Sequence, residues 1–230
     1  MKKAIVIILG VLLTLGMQAQ NLKRFADKSG VIEFVYSGST TGTEIWKWND
    51  WGANEYHITN TEIKVFGFKQ KSTVHMLRVG LDVYTWNEGE TQGTVTHDEI
   101  IEDLANSTKD WESFGKKAMA NLQYERKGTE MVDGKMCEIW EGPMGKIWAY
   151  KSYSLKSLIN LMGREVGLTV SRFGAGEAVP VSVFTVPSKI KFKKVDQMAP
   201  ENQENMTDEE REEMENAKGA IKGILKGLGN

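Results

Sequence analysis

Three histidines are the side chains in this chain best suited to acid–base or metal chemistry. His57, His75 and His97 lie 18 and 22 positions apart, and Cys137 is the only cysteine. A helical metal site needs two ligands three or four positions apart, and these spacings do not provide such a pair. The pattern therefore predicts structural or solvated histidines, and neither a metal site nor a bound cofactor.

Motifs for nucleophilic catalysis and for phosphate binding are missing from the sequence. No serine lies in a Gly-x-Ser-x-Gly turn, and Gly174-Ala-Gly176 lacks the third glycine of a dinucleotide-binding loop. Glu88 and Glu90 form a carboxylate pair beside a predicted turn, where two acids are usually solvated. We therefore expect a protein that is not an enzyme. A hydrolase would require one of the histidines to cluster with carboxylates in the fold.

Aromatic side chains are the more informative group. The chain has seven tryptophans, and segments such as 137–140 and 146–150 are apolar at positions that face both sides of a sheet. Either the sheet curls round a filled hydrophobic interior, or part of this surface binds a ligand or a partner. The candidate ligand-binding residues are Trp46, Trp48, Phe66, Phe68, Trp86, Trp111 and Phe114.

The first twenty residues have the three-part composition of a secretory signal peptide. Lys2 and Lys3 precede the apolar run Ala4–Leu15, and residues 16–20 are more polar. The apolar run is too short to span a bilayer as a helix. We therefore expect export to the periplasm and a mature chain that begins near residue 21. Because Cys137 lies far from the signal segment, the protein is not expected to be a lipoprotein itself.

The charge distribution excludes one class of partner. Residues 21–200 carry 23 basic and 23 acidic side chains, so this part of the chain has no excess of positive charge. Nucleic-acid binding depends on such an excess, and we do not expect it here. Residues 201–215 are acidic, and the following residues contain three lysines and no acid.

Strand-like segments occur in two blocks. Short apolar runs separated by turn residues extend over 30–86 and again over 124–193, which is typical of an antiparallel meander. Asp133-Gly134 predicts a tight hairpin within the second block. Between the blocks, Thr96-His-Asp-Glu99 has the composition of a helix capping box, and apolar residues follow at helical spacing. The sequence therefore predicts two helices within about 97–122.

The C-terminal segment has a different composition. Residues 197–206 are polar and are expected to form a linker, and a second capping box at Thr207–Glu210 begins an amphipathic helix over 207–228. Its lysines and apolar residues form separate stripes, which suits an anionic membrane surface or a protein partner. Docking of this helix on the chain's own sheet remains the simpler alternative.

The second strand block resembles a known family. The resemblance depends on five short segments that occur in order: Gly128-Thr-Glu130, 132–141, Lys146-Ile-Trp148, Ser154-Leu-Lys156-Ser157 and Phe184-Thr-Val-Pro187. This succession is similar to exported bacterial proteins with the half-barrel of the periplasmic outer-membrane lipoprotein carrier. The resemblance covers about residues 30–195. It implies an antiparallel sheet curled into an incomplete barrel, with helices over a concave face that receives acyl chains or other apolar ligands.

These observations predict an α+β fold: a curled antiparallel sheet, two helices that cover its concave face, and a C-terminal helix. The expected function is non-catalytic binding of a lipid, a lipoprotein acyl chain or another hydrophobic small molecule. The alternative is an envelope structural or interaction protein that acts through 207–228 on a membrane surface or a protein partner. The predicted segments are a signal peptide at 1–20, a half-barrel domain at 21–196 with its helical insert at about 97–122, a linker at 197–206 and a tail helix at 207–228.

Overall fold

The computed structural model describes residues 23–65, 68–98, 102, 119–120, 122–161 and 164–195. These residues form one twelve-stranded sheet and two short 3₁₀ turns, at Asp50–Gly52 and Val181–Phe184. The strands are β1 (Gly30–Gly38), β2 (Thr40–Asn49), β3 (Asn54–Val65), β4 (Phe68–Val79), β5 (Asp82–Asn87), β6 (Gln92–His97), β7 (Glu125–Val132), β8 (Lys135–Gly142), β9 (Gly145–Tyr150), β10 (Tyr153–Leu161), β11 (Arg164–Ala175) and β12 (Lys191–Lys194).

Two antiparallel meanders build the sheet. Strands β1 to β6 pair in sequence order, as do β7 to β11, and β11 then pairs with β1. The short β12 lies parallel to β6 and forms one edge of the sheet, and β7 forms the other edge. The N-terminal strand therefore lies in the middle of the sheet, between the two meanders.

Alternation of side chains determines which face of the sheet is buried. In β1 the side chains of Ile32, Phe34 and Tyr36 are buried, whereas the intervening Val35 is exposed. Ile32 pairs with Trp46, and this register places the aromatic residues of β2 on the same face. We call the face that carries Ile32 and Trp46 the inner face.

Contacts between distant strands show that the sheet curls around its inner face. Strands β2 and β10 are three strand spacings apart, which is about 14 Å in a flat sheet. Their rings Trp48 and Tyr153 nevertheless lie with centroids 5.5 Å apart. Phe25, from the segment before β1, lies 5.0 Å from Trp48 and 5.4 Å from Tyr153. The concave side therefore holds the main hydrophobic core.

The segment after β11 covers part of the outer face. β11 lies beside β1 and β12 lies beside β6, so residues 176–190 connect opposite parts of the sheet. The 3₁₀ turn Val181–Phe184 packs against β3 and β4, and both Phe184 and Leu77 are buried. This second layer explains why Leu77, on the outer face of β4, is buried.

The two edge strands are protected against pairing with further strands. β12 carries Lys191, Lys193 and Lys194, and charged side chains at an edge oppose the approach of another strand. β7 begins with Glu125, Arg126 and Lys127, and its pairing with β8 is irregular between Arg126 and Gly128. A bulge at an edge has the same protective effect.

The predicted fold class was wrong. The antiparallel sheet is confirmed, but the described residues are nearly all β and contain no helix of seven or more residues. Thr96 and His97, which the capping-box pattern placed at a helix start, lie in β6 and pair with Val83 and Asp82. Strand pairing therefore extends through His97, so the chain is extended at the position where the capping box indicated a helix start, since a capping box specifies only neighbouring hydrogen bonds.

Several predicted segments fall outside the described residues. These are the signal peptide at 1–20, most of the helical insert at 97–122, the linker at 197–206 and the tail helix at 207–228. Within the described part of the chain, no helix is long and apolar enough to cross a membrane.

Candidate functional site

A group of buried polar side chains interrupts the hydrophobic inner face. We call it the buried network, and it consists of Arg24, Tyr36, Glu44, Glu55, His57, Arg78 and Asp98. All seven residues are less than 9% exposed. Buried charges are costly unless they are paired, so this cluster is the most unusual feature of the inner face.

Strand register brings most of the buried network together. Glu55 pairs directly with Arg78, and His57 lies opposite Trp46. Glu44 is two positions before Trp46 and therefore shares its face. The remaining arginine comes from the segment before β1, and Asp98 directly follows β6.

The Asp50–Gly52 turn fixes the position of Arg24. Arg24 Nη1 donates a hydrogen bond of 2.9 Å to the carbonyl oxygen of Gly52. Gly52 has a φ of 91°, and a Cβ atom there would lie 2.8 Å from the Phe25 ring. A glycine is therefore required at the point where the N-terminal segment packs against the turn.

Glu55 lies between the two arginines. Its Oε1 atom accepts from Arg24 Nη1 and lies 3.4 Å from Arg78 Nε. Arg78 Nη2 donates to Asp98 Oδ2 over 2.8 Å. The two guanidinium groups are thus held by carboxylates on two different elements of the fold.

Glu44 lies at the other end of the buried network. It accepts hydrogen bonds of 2.5 Å from the Tyr36 hydroxyl and from Trp46 Nε1. His57 Nε2 lies 3.1 Å from Glu55 Oε2, whereas His57 Nδ1 is 3.7 Å from Glu44 Oε1. These distances favour a neutral His57 with its proton on Nε2, donated to Glu55.

Burial and neighbouring charges shift the pKa values of His57, Glu44 and Tyr36. Burial lowers the pKa of His57, and the two arginines lower it further, against the opposing effect of Glu44. Burial opposes ionisation of Glu44, but the nearby His57 ring and the hydrogen bonds from Tyr36 and Trp46 outweigh it and lower its pKa. Burial, together with the Glu44 carboxylate, raises the pKa of Tyr36. At neutral pH, Glu44 is therefore a carboxylate, Tyr36 an uncharged phenol and His57 a neutral imidazole.

The buried network has unsatisfied donors. Arg24 Nε, Arg78 Nε and Arg78 Nη1 are buried and make no hydrogen bond with the described residues, although Arg78 Nε lies 3.4 Å from Glu55 Oε1. Glu55 and Asp98 pair with the two arginines, and Glu44 lies at the other end of the network. The charges of the guanidinium groups are therefore balanced, but acceptor atoms are not directed at all of their N–H groups.

An uncharged surface continues the inner face beyond the network. The register places alternate residues of β3, β4 and β5 on this face, and those that follow the network are apolar or neutral. We call this surface the uncharged wall, and its half-buried members are Thr59, Ile63, Ser72, Val74, Met76, Thr85 and Asn87. The inner face thus has an aromatic core, a charged network and a partly open neutral surface side by side.

The predicted ligand-binding residues are only partly brought together. Trp46 and Trp48 lie in the buried core of the inner face, at 4% and 1% exposure. Trp86 lies on the outer face, where its ring contacts His75 and Phe192. Phe66, Trp111, Phe114 and the side chain of Phe68 lie outside the described residues. A ligand contact by any of these residues remains a prediction.

Each of the three histidines contacts one or more carboxylates, but the three lie at different places in the fold. His75 lies on the outer face, with Nδ1 2.8 Å from the Tyr56 hydroxyl and Nε2 2.5 Å from Glu88 Oε2. His97, at the end of β6, lies between Asp82 and Glu102, at 3.0 and 3.3 Å. Burial raises the pKa of Tyr56, which opposes a phenolate nucleophile beside His75. In the described part of the chain, no group of three or more acidic, histidine or cysteine side chains is arranged to hold a metal.

The sequence analysis missed the charged members of the buried network. One signal could have identified two of them. Glu44 lies two positions before Trp46, and Glu55 lies two positions before His57. Residues two positions apart in a strand face the same side of the sheet, so both carboxylates lie at positions that face a core. The two arginines and Asp98 carry no such signal, because only the tertiary structure places them beside Glu55.

The state of His57 predicts a loss of stability in mild acid. Its pKa is lowered in the folded protein, so the unfolded chain takes up a proton near pH 6.5 that the folded state rejects. Stability is fully present above pH 6.5 and falls below it, by no more than about 1.4 kcal/mol per pH unit. His57→Gln should remove this decline in urea unfolding measured from about pH 8 to pH 5.

His97 provides a control of opposite sign. The hydrogen bond to Asp82, with further help from Glu102, raises the pKa of His97, so this residue favours the folded state below pH 6.5. His97→Gln should therefore enlarge the loss of stability in acid relative to the parent protein. If His57→Gln leaves the decline unchanged, a neutral His57 is the wrong assignment.

Comparisons with known proteins give only distant similarities. No protein-family profile and no curated protein matches this chain. Among solved structures, an uncharacterized conserved protein from Thermus thermophilus overlaps with 76% of this chain and 95% of its own, at 8% identity and a TM-score of 0.46. LprF from Mycobacterium bovis overlaps with 69% and 90%, at 14% identity and a TM-score of 0.34. Neither overlap is close enough to assign a family or a function.

Proposed function

We propose that this chain is an exported periplasmic protein that binds a lipid, a lipoprotein acyl chain or another apolar molecule on its inner face, without catalysing a reaction. The observation that carries the proposal is the uncharged wall. It is a neutral, half-buried surface on the concave side of a sheet whose two edge strands do not pair with each other. Such concave apolar surfaces with a few polar groups are typical of ligand sites.

The wall differs from the core beside it. Trp48 and Leu155 are 1% and 0% exposed and fill the interior, whereas Val74 and Met76 retain exposed surface. Covering an apolar surface with an apolar ligand stabilises the complex by about 25 cal/mol per Å². The wall can therefore gain contacts from a ligand that the closely packed core cannot gain.

Native mass spectrometry of the purified protein, followed by solvent extraction, tests the proposal directly. We expect a copurifying apolar molecule, or uptake of added lipid by protein that purifies without one. Its chemical class would identify the cargo. A protein that remains free of ligand and refuses every added lipid would contradict the proposal.

A charge on the wall should prevent uptake. Val74 lies on the inner face of β4, and Val79 lies on the outer face of the same strand, at 37% exposure. Val74→Glu should reduce lipid uptake about tenfold or more, because an apolar ligand would have to desolvate the carboxylate. Val79→Glu adds the same charge to the same strand and should leave uptake unchanged. Equal binding by both variants would place the ligand elsewhere.

The alternative function through residues 207–228 has no support from the described part of the chain. That segment lies outside it, and the buried network and the uncharged wall both belong to the sheet.

A further inference from the structure

We propose that the guanidinium groups of the buried network bind the carbonyl oxygen of an acyl ester or acyl amide, while the attached chain lies on the uncharged wall. The ligand class is thus an acylated amphiphile rather than a hydrocarbon or a free fatty acid. This inference rests on the proposed function and names the chemistry that the same inner face recognises.

The first argument is the kind of group left unsatisfied. The orphaned atoms of the network are all N–H donors: Arg24 Nε, Arg78 Nε and Arg78 Nη1. Arg78 is 2% exposed, so solvent does not compensate for the missing bonds. Buried donors normally have partners, and the missing partner here must supply an acceptor atom. A carbonyl oxygen accepts hydrogen bonds and needs no donor in return.

The second argument is charge. Glu55 and Asp98 already pair with the two arginines, so the charges of these guanidinium groups are balanced before any ligand enters. A fatty-acid carboxylate or a phosphate would add a further buried anion, which repulsion and desolvation both disfavour. An ester or amide carbonyl supplies an acceptor without a net charge.

The third argument is position. Arg78 and Met76 are successive inner-face residues of β4, and Val74 is the next. Inner-face positions on one strand are about 6.6 Å apart. A carbonyl held at Arg78 would therefore direct its acyl chain along Met76 and Val74, and across to Thr59, which pairs with Val74.

Matched probes test the carbonyl contact. Dioctanoylglycerol and its dioctyl ether have the same chain length and the same free hydroxyl, but only the ester has carbonyl oxygens. We expect the unmodified protein to bind the ester about tenfold more tightly in titration calorimetry, the effect of one hydrogen bond from a charged donor. Octanoate should bind more weakly than the ester. The matching diamide should bind like the ester, since the carbonyl is the shared feature.

A conservative variant identifies the donor. Arg78→Lys keeps the positive charge between Glu55 and Asp98 but removes Nε and Nη1. It should lose the preference for the ester while still binding the ether. Arg126→Lys, at an exposed ion pair with Glu138, should retain the preference. If Arg78→Lys does not fold, the ester–ether comparison on the unmodified protein decides alone.

The outcomes separate the two proposals. Binding of neither glycerol probe would contradict the proposed function itself. Equal binding of ester and ether would overturn only the carbonyl contact and would mean that water satisfies the three donors. Tighter binding of octanoate than of the ester would overturn it in favour of an anion site.

Discussion

Replacing Glu55 with leucine should lower the free energy of unfolding by about 3–5 kcal/mol. Glu55 is fully buried, and its carboxylate contacts Arg24, Arg78 and His57. Removing it leaves two buried guanidinium groups without their shared anion. Denaturant unfolding followed by circular dichroism measures the change.

A surface pair provides the control for this prediction. Glu138 lies 3.0 Å from Arg126, and the side chains of Arg126 and Glu138 are 51% and 38% exposed. Glu138→Leu removes the same chemical group from the same kind of element and should cost about 0–1 kcal/mol, because water screens exposed pairs. A similar loss in the two variants would mean that the buried network does not hold the fold together.

Trp48→Ala should cost about 3–5 kcal/mol, the range for removing a large buried aromatic side chain. The ring is 1% exposed, packs against Phe25 and Tyr153, and donates from Nε1 to the carbonyl of Asp27 over 3.0 Å. Its loss would remove the ring that joins the N-terminal segment, β2 and β10 in one aromatic cluster. Thermal and denaturant unfolding would report the change.

Met136 provides the comparison for Trp48. It is apolar and lies in a strand, but it is 57% exposed. Met136→Ala should change stability by less than about 0.5 kcal/mol. A cost below about 1 kcal/mol for Trp48→Ala would show that the curled core does not depend on this ring.

Local patterns in the sequence identified most of the strands. The strand-like runs predicted over 30–86 include β1 and β2, and the period of two in the second places Trp46 and Trp48 on one face, where both are buried. The hairpin at Asp133-Gly134 is also present, with φ of 47° and 70° at these residues. These features depend on neighbours in the chain, which a sequence shows directly.

Features that depend on distant residues were not predictable in the same way. Thr96 and His97 pair with Val83 and Asp82 and are in a strand, and a local pattern contains no information about that pairing. The outer layer around Phe184 was interpreted as part of a last strand. The segment instead forms a 3₁₀ turn against β3 and β4, and strand structure resumes only at Lys191.

In the candidate site, too, some positions could be predicted from neighbours in the chain and others could not. The positions of Glu44 and Glu55 follow from alternation, but the pairing of Glu55 with Arg24 depends on a segment thirty-one positions earlier in the chain. The unsatisfied donors on Arg78 become visible only when every neighbour is placed. Sequence reasoning could suggest a lipid-binding surface, whereas the polar chemistry beside it required the structure.

The pairing of β1 with β11 has a consequence for the order in which the protein can fold. Gly30 pairs with Ala175 and Gly38 with Val166, so the centre of the sheet joins residues at least 128 positions apart. Contacts at such separation form slowly, because a long loop must close first. One side of the first strand therefore stays unpaired until nearly the whole sheet has been synthesised. During that time its alternating Ile32, Phe34 and Tyr36 are an aggregation hazard, and a holding chaperone would protect them.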